Sequence, residues 1–342
     1  MKGPRTIVHV VPTHVYLNKV HGSYKDVAGR AELLTELFDR YEQVLVSHDD
    51  PEQLRLPNDV VPTHILVEYT QTARIIQVLR RRWPMAILAC RPHNAEPLQH
   101  LDNIGLRPLR RIPRLLYGMA RLATLDRICA RTCDVVLPIS EHEADGYWRL
   151  QARRNTVAWL PYIPLCSTQG AGPRARVIAC LPSPQEHRRT VDTVRQFAEF
   201  AAALEAIGAK YECVVTGDLR HWRTSIPGNL RMVGHVDDLD AFLSGIAAVA
   251  MLSRLGHGFK TTIGDAVACG AAALLHPRQY LRCPSLFRSG AVSVGGLTKS
   301  HLESVLASIA TPPVPNLKNL ARDLAKSVLE EHFLDRRKRV GA

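Results

Sequence analysis

The sequence predicts an α/β protein of two domains, each a parallel β-sheet wrapped by helices, with a cleft between them. Three observations predict it. Short apolar runs alternate with helical patterns through both halves of the 342 residues, the signature of right-handed βαβ units. A polar, breaker-rich linker (residues 167–173, following Pro161-Tyr162-Ile163-Pro164) interrupts the alternation once,. Residues 246–276 read strand, glycine loop, helix, strand, and in an open α/β sheet such a loop lies at the carboxyl edge, where ligands bind. The length is generous for one domain and comfortable for two. The expected boundaries are residues 1–163, residues 174–315, and a terminal helix within 316–342.

The elements follow in order. Residues 7–11 are a strand. Residues 31–41 are a helix with Leu33, Leu34, Leu37, Phe38 and Tyr41 on one face,. Residues 44–47 and 65–68 are strands, and 70–82 form a helix that stops before Pro84,. A strand at 86–90 runs into the loop Arg91-Pro92-His93-Asn94-Ala95-Glu96-Pro97. An arginine-rich helix comes next, then a strand at 134–137. Ser140 with Glu143 three residues on forms a capping box that opens another helix,, and 157–160 is the last strand of the first half. After the linker come a strand at 177–180, a helix at 190–207, and strands at 211–215 and 230–233. A helix at 237–245 is capped by its own aspartates, so Asp238-Leu239-Asp240 reads as a cap before it reads as a cation site,. Helices at 301–309 and 317–333 close the chain.

Composition narrows the partners. A formal charge of +12 calls for an acidic partner or surface. Arg107, Arg110, Arg111, Arg114, Arg121, Arg127 and Arg131 fall in one segment, interleaved at helical spacing with Leu109, Ile112, Leu115, Leu116, Met119, Leu122, Leu125 and Ile128. Residues 107–131 therefore suit an anionic membrane surface or, equally, a core helix with a solvated arginine face. Nucleic acid is not expected as a partner, because no helix-turn-helix, zinc-finger or RNA-binding aromatic motif accompanies the charge. The eight cysteines contain no C-x-x-C pair. Cys129 and Cys133 stand one helical turn apart and can share a metal, but buried free thiols in a reducing cytosol explain them better. The N-terminal apolar run is too short for a secretory signal and no run suits a membrane span. The expected location is cytoplasmic, with a peripheral role at the inner membrane face if the basic helix binds lipid.

The chemistry concentrates at Gly256-His257-Gly258-Phe259-Lys260-Thr261-Thr262. A helix N-terminus presents unpaired N–H groups and a partial positive charge, and glycines before it let a ligand approach the backbone. The loop is built to hold an anion, best a nucleotide diphosphate. It lacks the Gly-Lys-Ser/Thr of a P-loop.

Five segments in order resemble GT-B glycosyltransferases, especially the retaining family 4 type. They are Arg91-Pro92-His93-Asn94-Ala95-Glu96, residues 134–141, residues 160–164, residues 229–236, and residues 256–270. The resemblance covers nearly the whole chain. It implies two Rossmann-like domains with parallel sheets facing a central cleft, the first binding the acceptor and the second the donor, and a terminal helix that crosses back to the first domain. It implies transfer from a nucleotide-diphosphate sugar to a glycan, lipid-linked or small-molecule acceptor, with no metal and no cofactor. Carried over by position, His93 and His257 are the catalytic candidates. Arg188, Gly217, Val236, Gly256, Gly258, Phe259, Lys260, Thr261, Thr262 and Asp265 would bind the donor, and His21, Gly22 and Ser23 the acceptor. Glu68, ending another strand, is a further acceptor-side candidate. The family's paired glutamates, seven residues apart, are here His257 and Asp265. The second keeps the carboxylate that accepts from ribose hydroxyls. The first exchanges an acceptor of sugar hydroxyls for an imidazole, which motivates the alternative of a catalytically degenerate module that binds a nucleotide or partner protein without turnover. A runner-up among enzymes is another GT-B-like activity, such as an epimerase or a phosphorylase-like enzyme, though no motif supports the pyridoxal-phosphate lysine that a phosphorylase needs.

Overall fold

The computed structural model describes residues 4–17, 22–47, 50–102, 112–166, 174–183, 188–217, 219, 228–309 and 316–334. The chain divides into two compact units. Unit 1 is Met1–Pro164, His257–Thr261 and Asn319–Ala342, and unit 2 is Leu165–Gly256 and Thr262–Lys318.

Unit 1 holds β1 (Thr6–Pro12), β2 (Arg40–Val46), β3 (His64–Glu68), β4 (Ile87–Arg91), β5 (Val135–Val136) and β6 (Thr156–Val157). They form one parallel sheet in the order β2-β1-β3-β4-β5-β6. Alternate residues serve opposite faces. Val8, Val10, Ile65, Val67, Leu88 and Cys90 join one core cluster, while Ile7, Leu66, Ile87 and Ala89 join another with Leu33, Leu34, Ala325, Leu329 and Phe333. A parallel sheet covered on both faces reads as continuous apolar runs, which is why these strands were legible. The sheet order reverses at β1 and β3, so the carboxyl ends of those two strands flank the switch point where such sheets bind ligands.

Unit 2 repeats the plan with β7 (Ala175–Cys180), β8 (Glu212–Thr216), β9 (Arg231–Gly234), β10 (Ile246–Met251), β11 (Ala272–Leu275) and β12 (Ala291–Ser293). All pair in parallel in the order β12-β11-β10-β7-β8-β9. The switch point lies between β7 and β10. Phe197, Phe200 and Leu204 of the helix Arg188–Ala206 and Leu302, Val305 and Ile309 of the helix Lys299–Ile309 fill the core against Ile178, Val215, Ala248 and Leu274.

Two expectations need correction. The helix expected at 31–41 spans Gly22–Leu37 instead, and Tyr41 lies in β2. Asp39 and Arg40 donate their N–H groups to Arg5 O, and Arg5 N donates to Asp39 Oδ2 at 2.7 Å. This turns the chain so that Tyr41 pairs with Ile7. The first half of the helix escaped notice because its buried face carries Asp26 and Arg30, which break the apolar period. The capping box is also only half made. Ser140 Oγ accepts from Glu143 N at 3.3 Å, but Glu143 Oε1 accepts from Ala95 N at 3.0 Å, a residue 48 positions away. Asp238 does cap its helix, Oδ1 accepting from Ala241 N at 2.9 Å. Arg107, Arg110, Arg111 and the linker 167–173 lie outside the described residues.

Phe333 is fully buried and packs its ring 6.1 Å from Phe38 and 5.1 Å from His64. Phe333→Ala is expected to lower the unfolding free energy by about 3–5 kcal/mol, read by urea denaturation. A loss under about 1 kcal/mol would remove the terminal helix from the core.

Candidate functional site

At the switch point of unit 1 the sheet carries charge where the pattern calls for apolar side chains. Asp26, Arg30, Glu68, Arg91, His9 and His93 are all buried. Arg30 bridges both carboxylates, its Nη2 lying 2.9 Å from Glu68 Oε2 and 3.1 Å from Asp26 Oδ2. Arg91 donates to Asp26 Oδ1 at 3.0 Å and, through Nη1, to the carbonyls of Leu137, Pro138 and Leu160. Burial works to raise both carboxyls. Arg30, with Arg91 and His93, nevertheless holds Asp26 below its ordinary value, and Arg30 with His9 and His93 holds Glu68 well below. Both are ionised and accept only. His9 Nε2 therefore donates to Glu68 Oε1 at 2.6 Å, while its Nδ1 meets Tyr41 Oη at 2.9 Å.

His93, past the end of β4, meets the same network. Its Nε2 is 2.9 Å from Glu68 Oε2 and its Nδ1 3.7 Å from Asp26 Oδ2. One ring face stacks on Tyr69, centroids 4.0 Å apart and planes 8° from parallel.

The glycine loop follows β10 in unit 2. Gly256 sits at φ 97° and Gly258 at φ 82°, conformations that favour glycine,. Ser253 Oγ accepts from Leu255 N at 3.1 Å and donates to Asp192 at 2.6 Å. Gln279 Nε2 donates to the carbonyls of Leu255 and Gly256 at 3.1 and 3.0 Å, and Arg282 adds a second donor to Gly256 O. The helix opens at Thr261 and runs to Ala268 with no acidic residue in its first turn, Asp265 buried on it.

Residues 257–261 pack in unit 1. A Cβ on Gly258 would stand 1.9 Å from Asn94 Oδ1, and one on Gly22 would stand 2.0 Å from Thr261 Oγ1. Gly22 opens the helix Gly22–Leu37, which also lacks an acidic first turn. The His257 ring is buried with its centroid 6.2 Å from His142, and Phe259 lies 6.3 Å from Tyr162.

Two further acids lie close by. Burial pushes Asp126 up to about 7 against hydrogen bonds from Thr70 and Tyr147, whose hydroxyl is 2.7 Å away. Burial likewise pushes Glu143 up to about 7, while the bond from Ala95 and the charge of Lys260 pull it down. Among the described residues, Asp126 Oδ1 and Glu143 Oε2 have no hydrogen-bond partner.

Of the residues singled out in the sequence, Gly22, Ser23, His93, His257, Gly258, Phe259, Lys260 and Thr261 fall in unit 1. Gly256, Thr262 and Asp265 fall in unit 2, as do Gly217 (φ 91°, its N–H donating to Gly234 O) and half-buried Val236. His21 lies outside the described residues, as does the side chain of Arg188, whose backbone opens its helix. Sequence reasoning missed Asp26, Arg30, His9 and Tyr69. One signal was available: His9 interrupts a strand otherwise apolar on both faces, and a polar residue there needs a buried partner. Cys129 and Cys133 are buried free thiols, and among the described residues no cluster of His, Cys, Asp or Glu is arranged to hold a metal.

No family model and no curated protein matches the sequence. The fold is similar to the α,α-trehalose 6-phosphate synthase of Burkholderia multivorans (12% identity, 99% of this chain and 97% of that one, TM-score 0.58). It is also similar to the sucrose-phosphate synthase of Thermosynechococcus elongatus (10%, 99% and 100%, TM-score 0.56) and to a UDP-forming trehalose-phosphate synthase of Burkholderia xenovorans (10%, 96% and 96%, TM-score 0.55). At such identities the likeness carries the fold alone, and that fold is GT-B.

The raised Asp126 pKa sets a pH dependence. Between the ordinary value of 3.8 and about 7 the folded protein keeps a proton that the unfolded chain releases, so stability falls as pH rises through this window. Asp126→Asn removes the effect. Its unfolding free energy relative to the parent is expected to rise between pH 4 and pH 8 by on the order of 4 kcal/mol. A pH-independent difference in parallel urea titrations would contradict it.

Proposed function

We propose that the protein is a glycosyltransferase that moves a sugar from a nucleotide-diphosphate sugar to a glycan, lipid-linked or small-molecule acceptor, with retention and without a metal ion. The observation that carries this is the glycine loop. Backbone at positive φ, a helix N-terminus with no acidic residue in its own first turn, and Lys260 together make a seat for a diphosphate,. The similar structures are sugar-phosphate synthases by name, one of them UDP-forming, which agrees with a diphosphate leaving group.

Each part then has a task. Lys260, Arg188 and the N–H groups of residues 259–262 stabilise charge on the departing diphosphate. The close approach of Gly22 to Thr261 adds the first turn of a second helix, again favourable to an anion. Asp265 accepts from the ribose hydroxyls, and His257 and His93 face the donor sugar. Gly256, Gly258 and Phe259 shape the loop, Gly217 and Val236 border the base, and Ser23 with Gly22 and His21 meets the acceptor. Raising the melting temperature with one nucleotide in a panel of UDP, GDP, ADP, CMP and dTDP would identify the donor class. Lys260→Ala and Asp265→Ala are each expected to weaken that ligand by about 1.5–3 kcal/mol with the fold intact. Unchanged affinity in both removes the loop from the site.

His257, standing where the resembling family has a glutamate, favours a second reading, a module that binds the nucleotide without turnover. Transfer or donor hydrolysis by the purified protein distinguishes the two.

The acceptor side extends to an anionic membrane surface. No helix among the described residues is long and apolar enough to cross a membrane. The helix Ile112–Thr132 buries no residue before Asp126. It exposes Arg114, Arg121, Arg127 and Arg131 beside Leu116 (49% exposed) and Tyr117 (73%), which suits a headgroup layer. Vesicles containing phosphatidylserine should retain the protein at low salt, less at high salt, and less after Arg114→Ala and Arg121→Ala. Equal retention on neutral vesicles would exclude the surface.

A further inference from the structure

Successive side chains of an extended strand point to opposite faces of the sheet. Glu68 ends β3 and Tyr69 follows it, yet both reach His93. Glu68 takes the ring edge at Nε2 and Tyr69 covers a ring face. The backbone meets this demand at Tyr69, whose φ of 68° and ψ of 143° lie in a region almost reserved for glycine. The unusual backbone is held from several sides. Tyr69 N donates to Arg91 O at 3.0 Å, Thr72 Oγ1 donates to Tyr69 O at 2.5 Å, and the phenol hydrogen-bonds Ser23.

We propose that Glu68 and Tyr69 are a positioning pair for His93, and that the strained backbone at Tyr69 exists to aim two consecutive side chains at one imidazole. The role rests on the glycosyl transfer proposed above. The ionised Glu68 carboxylate, which only accepts, puts a proton on Nε2 and sets the ring's rotation. The Tyr69 ring blocks tilting out of that plane and shields the Nε2–H from water. His93 is thereby presented through its remaining face and edge, and neither Glu68 nor Tyr69 needs to touch a substrate.

The test compares Tyr69→Ala, Tyr69→Gly and Tyr69→Phe in protein carrying 15N-labelled imidazole, without any ligand. The His93 Nε2–H signal, assigned by its loss in His93→Gln, should be slow to exchange in the parent, lost in the Ala and Gly variants, and rescued in the Phe variant. Glycine takes the backbone without strain, so Tyr69→Gly should melt at a higher temperature than Tyr69→Ala. In the transfer reaction, Tyr69→Ala should lower kcat about 10- to 100-fold with KM changed less than about 3-fold, and Tyr69→Phe should restore kcat. A His93 signal indifferent to loss of the ring, or an alanine variant that melts at or above the glycine variant, overturns the proposal. The spectroscopic and melting arms need no turnover, so a protein without transfer activity overturns the function proposed above while these arms still decide the role of the pair.

Discussion

The buried exchange of charge among Arg30, Arg91, Asp26 and Glu68 is the constraint on which the first unit depends. Each of these ions taken alone out of water costs several kcal/mol, and only mutual pairing offsets that. The pairing joins the helix Gly22–Leu37 to the carboxyl ends of β3 and β4, and Arg91 extends it to carbonyls beyond the ends of β5 and β6. The histidines come last: with both carboxylates ionised, His9 and His93 have fixed acceptors to meet. The position of His93 is thus a consequence of charge pairing rather than of the loop that carries it.

The glycine loop is ordered by different means. No ionic pair holds Gly256. Two side chains from the helix Pro277–Arg282 donate to its carbonyl. Gly258 and Gly22 act by what they lack, since a single added carbon would collide with Asn94 or Thr261. The loop backbone is shaped here by donors to its carbonyls and by the side chains its glycines lack.

What the sequence disclosed follows from the same physics. Strands buried on both faces announce themselves, so β1, β3, β4, β10 and β11 were legible from Ile, Val, Leu and Ala runs. The loop at 256–262 was legible because positive φ leaves a glycine signature. Asp26 and Arg30 were not, because a polar pair four residues apart reads as a solvated helix face until something across the sheet is known to need it. Tyr69 was invisible for a related reason: nothing in its neighbours foretells a left-handed backbone. Glu143 misled, since a carboxylate three residues after a serine satisfies a local rule while its oxygen answers a distant N–H instead.

Unit 1 is assembled from three separated stretches of chain, and this bears on its biosynthesis. The core around Ile7, Leu33 and Leu66 is closed by Ala325, Leu329 and Phe333. During translation at about 5–20 residues per second, the first sheet must wait roughly 10–30 s for that closing helix, since residues 165–318 are made in between,. Through that interval the part of the sheet's apolar face that Ala325, Leu329 and Phe333 pack against lacks its cover. The second unit, apart from the five residues 257–261, is contiguous and can fold while the first waits. The unit begun first is therefore the one completed last.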